Sequence, residues 1–194
     1  LTTAEYNRYT QLNQPVLAIG QVEDFDYTSV SHYIYCYLDP TKQCVPTYEM
    51  EMRLYDEVDP LLKDDEVNLK TLDDPRIKSS DYKFDFIVEP MYVGRAVNFK
   101  GFRLYMHLSD YLRGNLTHDK KKFQRFRDIE HWLDDEDLDW RWYKRNCIIV
   151  LSQVLGTSSL NHHVATEMLN RNEKKIIRQM LSDDINLVNE IVYH

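Results

Sequence analysis

The sequence predicts an α+β domain in which a small central sheet, mixed or antiparallel and of about three strands, is flanked by helices. Three observations point there. Val30 to Leu38 and Phe84 to Gly94 are dense in β-branched and aromatic residues, and Cys147 to Leu151 is a short continuous apolar run. Three later segments carry apolar residues at helical spacing. At 194 residues the chain fits one domain, 1–194, with room for an insertion.

Each element has its own signal. The apolar run Pro15 to Ile19, closed by Gly20, reads as a short helix or arm followed by a turn. The first confident strand, 30–38, ends on Asp39-Pro40-Thr41-Lys42, a turn signal. Residues 49–89 carry 13 acidic against 6 basic side chains without a sustained period, so 41–88 is expected to be a solvated acidic insertion. The second strand region follows, interrupted near Pro90 and ended by Gly94, where backbone must turn or approach a ligand closely.

Helical spacing from Phe102 to Tyr111 puts Arg103 and His107 four apart on one face, and Gly114-Asn115 closes that helix. A basic helix start, Lys120-Lys121-Lys122-Phe123-Gln124-Arg125-Phe126-Arg127, continues into an apolar stripe at Ile129, Trp132 and Leu133. Asp134 to Asp137 caps or follows it, with Trp140 and Trp142 packed nearby. A long helix from about Leu160 to Met180 buries Val164, Met168, Leu169, Ile176, Ile177 and Met180.

Composition sets bounds. With 43% hydrophobic and 29% charged residues the chain is not a disordered one. Three cysteines without a CxxC pair indicate neither a zinc knuckle nor a disulfide framework, and a reducing, intracellular setting is expected. No stretch has the length of a membrane span, and Leu1 to Glu5 has neither a basic nor an apolar signal region. The net charge of −8 argues mildly against a nucleic-acid partner, but its distribution does not. From Arg95 to Asp128 nine Lys and Arg face three Asp, and Arg171, Lys174, Lys175 and Arg178 follow on the long helix.

Two tyrosine-bearing strands, a basic helix and a remote carboxylate suit metal-assisted attack on a phosphodiester. In these residues the chain resembles the GIY-YIG nuclease family. Tyr33-Ile34-Tyr35 resembles the first family tripeptide with an aromatic in place of the leading glycine, and Tyr92-Val93-Gly94 resembles the second, followed by the basic Arg95. Arg103 matches the family's helix arginine, His107 a position that is histidine in one branch, Glu173 the metal-binding glutamate, and Asn189 the tail asparagine. The blocks cover roughly half of the chain. The pattern departs in the leading residues, where His32 and Tyr33 replace small ones, and in spacing: 56 residues separate Tyr35 from Tyr92, which makes the acidic segment an insertion between the motif strands.

The resemblance implies a divalent-metal-dependent endonuclease acting on double-stranded DNA, with Mg²⁺ or Mn²⁺ held by Glu173. Glu167 is the rival carboxylate. Arg103 would clamp the phosphate, since a guanidinium meets two oxygens at once. Tyr35 or His107 would activate water, and Tyr92 would assist. A phenol of ordinary pKa, about 10, needs a nearby cation for that role, whereas an imidazole does not. Tyr33, Arg95, Lys100, Lys120, Lys121, Lys122, Arg125, Arg127, Lys174 and Asn189 are the expected nucleic-acid contacts. The other reading is a non-catalytic nucleic-acid-binding or interaction protein that keeps the fold. No membrane partner is expected, and homo-oligomerisation stays open.

Overall fold

The computed structural model describes residues 18–19, 32–97, 104–116, 118–157 and 160–189. Its elements run β1 (Ala18–Ile19), β2 (Tyr33–Val58), β3 (Ile77–Ala96), α1 (Met106–Leu112), α2 (Lys120–Asp135), α3 (Trp140–Cys147), β4 (Ile148–Gln153) and α4 (His162–Ser182). The strands form one antiparallel sheet in the order β1-β3-β2-β4, with helices packed against it, an α+β arrangement.

β2 and β3 are the two arms of a single long hairpin, paired from Tyr33 opposite Ala96 to Val58 opposite Ile77. Register shifts cluster between Tyr37 and Tyr48, where Pro40 and Pro46 lie, with Pro90 facing Leu38. Proline cannot donate to the ladder, and each bulge adds local bend and twist. The hairpin therefore curls until the two ends of β2 meet one partner. Val154 N donates to His32 O at 2.9 Å, while Leu155 exchanges backbone bonds with Asp56 and Val58 at 2.8 and 3.1 Å. α4 packs along both curled strands.

Residues 41–58 and 77–88 of the acidic segment are thus sheet, joined by a turn region at 59–76, which corrects the expectation of a solvated insertion after the first strand. Met50, Met52, Leu54, Phe84, Phe86 and Val88 point into the core, while Glu49, Glu51, Arg53, Asp81 and Lys83 face water. Acidic outward positions hid the period of two. Asp39 to Lys42 likewise sits in the bend, within β2, and reverses nothing. Removing residues 56–83 should leave no folded domain, because Val58, Leu62, Leu72 and Ile77 are buried. Circular dichroism and thermal melting of the shortened chain check this, and a cooperative melt near the parent's would contradict it.

Two asparagines close open sheet edges. Beyond the end of β4, Asn172 of α4 accepts from Tyr55 N at 3.0 Å and donates to Tyr55 O at 2.7 Å. On the outer edge of β3, Asn189 does the same for Val93, at 3.0 and 2.7 Å, beside Val188 N bonded to Met91 O at 2.7 Å. Each amide stands in for a missing strand, satisfying edge groups that would otherwise invite pairing with another chain.

Two of the helices begin on aspartate caps. Asp119 accepts from Lys122 N to start α2, and Asp139 from Trp142 N to start α3. α3 was not expected. Its Tyr143 hydroxyl bonds Leu38 O at 2.8 Å, and burial pushes that phenol well above its usual range. No helix among the described residues is long and apolar enough to cross a membrane.

Candidate active site

Alternation along β2 puts Tyr33, Tyr35 and Tyr37 on one face. Their rings follow one another at 6.3 and 6.0 Å. The register then brings Tyr35 opposite Gly94 and Tyr37 opposite Tyr92, so residues 59 and 55 apart in sequence become cross-strand neighbours. Tyr92 lies 6.1 Å from both Tyr35 and Tyr37. A Cβ on Gly94 would come within 2.5 Å of the Tyr35 Cζ and hydroxyl and 2.8 Å of Tyr92 Cε1. The glycine of the second tripeptide is therefore what lets the Tyr35 ring lie across β3. Gly94→Ala should displace both rings, seen as loss of their aromatic cross-peaks by NMR with a stability cost of about 1–3 kcal/mol for overpacking; an unchanged spectrum would contradict the geometry.

α1 delivers His107 to this cluster. Tyr37 donates to Leu104 O at 2.6 Å and so ties the start of that helix to β2, while burial holds the Tyr37 phenol above its usual range. The His107 ring stands 4.4 Å from Tyr92 and 6.1 Å from Tyr37. Lys122 reaches in from α2, with Nζ 3.4 Å from His107 Nδ1, 5.0 Å from the Tyr92 ring centroid and 3.3 Å from the Asp119 carboxylate. An ammonium can only donate, so in this contact Nδ1 is placed as the acceptor. The cation over the Tyr92 ring is a favourable placement in its own right. Tyr33, Tyr35 and Tyr37 are fully buried, whereas Tyr92 and His107 are half-buried.

Glu173 arrives from another direction. It accepts from Arg95 at 3.0 Å, with 13% of its side chain exposed, and meets the motif strand at the pleat position after Gly94, on the sheet face opposite the tyrosine cluster, so the structure does not bring Glu173 together with Tyr35, Tyr92 and His107. Glu167, the rival, pairs within the helix with Arg171 at 3.0 Å. Glu173 is thus the carboxylate that touches a motif residue. Among the described residues no group of three or more His, Cys, Asp or Glu converges on one point.

Several expected nucleic-acid contacts are internal, which corrects the sequence reading for Tyr33, Arg125 and Asn189. Tyr33 is core, and Asn189 is committed to the Val93 backbone. Arg125 sits under the bend of the hairpin. Its Nε donates to the fully buried Asp39, Nη1 to Asn186 O at 2.8 Å and Nη2 to Glu89 at 3.1 Å. Lys122 is turned into the tyrosine cluster. Lys120, Lys121 and Arg127 on α2, Arg95 on β3 and Lys174 on α4 are exposed. Arg103 and Lys100 lie outside the described residues.

Sequence reasoning missed Tyr37 and the inward turn of Lys122. The period of two in Tyr33-Ile34-Tyr35-Cys36-Tyr37 could have revealed the first. It also passed over His32, buried against Thr166 and His162, whose pKa is lowered to about 4 by burial and then by His162. Comparison with protein-family models, with curated proteins and with solved structures returned no match.

Proposed function

We propose that the chain is a divalent-metal-dependent endonuclease that hydrolyses phosphodiester bonds in DNA, built like the GIY-YIG nucleases. One observation carries the reading: the two tripeptides pair across β2 and β3, with Tyr35 packed over Gly94 and Tyr92 beside His107. A core tyrosine needs no glycine opposite it and no histidine and lysine gathered at its ring edge.

The donor set fits a hard ion that keeps most of its water. Mg²⁺ takes one or two carboxylates and retains several waters, so Glu173, which pairs with Arg95 here, would be its protein ligand. Bound there, the ion would supply Lewis-acid stabilisation of the leaving oxygen. The remaining roles belong to side chains. Arg103 is assigned to the non-bridging phosphate oxygens, where charge develops in the transition state. His107, beside the Tyr92 ring and Lys122, is one of two candidates for activating water. The other is Tyr35, which is buried behind the half-buried Tyr92, and Tyr92 is assigned as the assisting phenol. Lys122 supplies the nearby cation that a phenol requires for that work.

A second reading has its own support. The Arg95–Glu173 ion pair suits a protein that keeps the fold and binds nucleic acid without cutting it. Conversion of supercoiled plasmid in Mg²⁺ or Mn²⁺, against EDTA, separates the two: metal-dependent nicking supports the nuclease, and binding without nicking supports the second reading.

A further inference from the structure

α4 carries a second feature on the flank turned away from Glu173. Arg171, Lys174, Lys175 and Arg178 stand at i, i+3, i+4 and i+7, which stacks four cations on one side of the helix. With Gln179 and Ser182 they line a hollow of about 480 Å³. Its wall is held in place. Lys175 Nζ donates to Arg53 O at 2.7 Å, and Arg171 donates to the carbonyls of Leu69 and Lys70 at 2.5 and 2.6 Å. Lys174 and Arg178 are exposed. At 100° per residue the middle of this stripe is roughly 160° round the helix from Glu173.

We infer that this hollow is a track for the phosphate backbone of a nucleic acid, separate from the tyrosine cluster. The inference takes its partner class from the proposed function but not its geometry. From Arg171 to Ser182 the lining extends about 16 Å along the helix. Among the described residues no carboxylate lines the hollow, although Glu167 pairs with Arg171 at one end and Asp183 accepts from Gln179 at the other. A membrane-surface helix needs aromatic or aliphatic side chains beside its cations, and none lines this hollow. A nucleic-acid strand offers a negative charge about every 3.4 Å, which a continuous cationic stripe can follow. The outward face of the hairpin, with Glu49, Glu51 and Asp81 exposed, repels the same polyanion.

Anisotropy titrations of a labelled DNA duplex in EDTA, at several KCl concentrations, test this without cleavage. The variant is Lys174→Gln with Arg178→Gln; Lys175 and Arg171 stay, since both also hold neighbouring carbonyls. With thermal melting unchanged, affinity at low salt should fall about tenfold or more, and the slope of log K against log salt should shrink by about 1.8, at 0.9 per lost phosphate contact. Lys174→Arg with Arg178→Lys should restore both. Parent-like affinity and slope in the double Gln variant would overturn the inference. So would a parent that binds vesicles of anionic phospholipid and not DNA. A parent that never cleaves but shows the expected slope change would remove the nuclease reading and leave the track standing.

Discussion

Arg125→Ala is expected to be the most damaging single change in this chain, unfolding the domain or lowering its melting temperature by about 10 °C or more. The residue lies in a segment that reads as a basic, solvated helix face, yet it is buried and answers three partners at once. One of them, Asp39, is fully buried in the bend of β2, where Thr41 N and Oγ1 also donate to it, at 2.9 and 2.6 Å. Removing the guanidinium leaves that carboxylate and the Asn186 carbonyl without their principal donor. Breaking a buried pair from one side costs about 3–5 kcal/mol, because the remaining charge stays desolvated. Arg125→Lys should rescue little, since an ammonium lacks the planar fork that spans Asp39, Glu89 and the 186 carbonyl. Lys120→Gln and Lys121→Gln, at exposed positions of the same helix, should move the melting temperature by less than about 2 °C. Differential scanning calorimetry of the variants decides it. A parent-like melt for Arg125→Ala would mean that the bend does not depend on the clamp.

Glu173→Gln should abolish cleavage while DNA affinity and thermal stability stay near the parent's. The substitution preserves volume and removes the one carboxylate that α4 brings to a motif residue. Its structural cost is small, because Arg95 is substantially exposed and such pairs contribute about 1 kcal/mol or less. Glu167→Gln, which breaks only a pair within the helix, should leave cleavage intact. Full activity in Glu173→Gln together with loss in Glu167→Gln would move the metal to the other carboxylate.

The contrast between these two residues shows what the sequence could and could not convey. Helical periodicity made α2 and α4 legible, and β-branched density marked the proximal strands. The motif blocks singled out Tyr35, Tyr92, His107 and Glu173, and the first three meet on one face. What stayed hidden depends on long-range geometry. Arg125 looks like its lysine neighbours until Asp39, 86 residues away, is packed beneath it. The distal hairpin looked solvated because charged side chains alternate with Met50, Met52 and Leu54, and the charges dominate any average over the window. α3 is eight residues long, too short for a periodic signal to separate from the strand that follows. Asn172 and Asn189 close sheet edges, a role that no local pattern announces.

The most direct measurement is cleavage of supercoiled plasmid by the purified chain over time, with Mg²⁺, with Mn²⁺ and with EDTA, alongside Glu173→Gln. The account predicts nicked and then linear product with either ion, none in EDTA, and none from the variant although it still shifts the DNA. Product that persists in EDTA, or equal product from parent and variant, would contradict an endonuclease whose metal is held by Glu173.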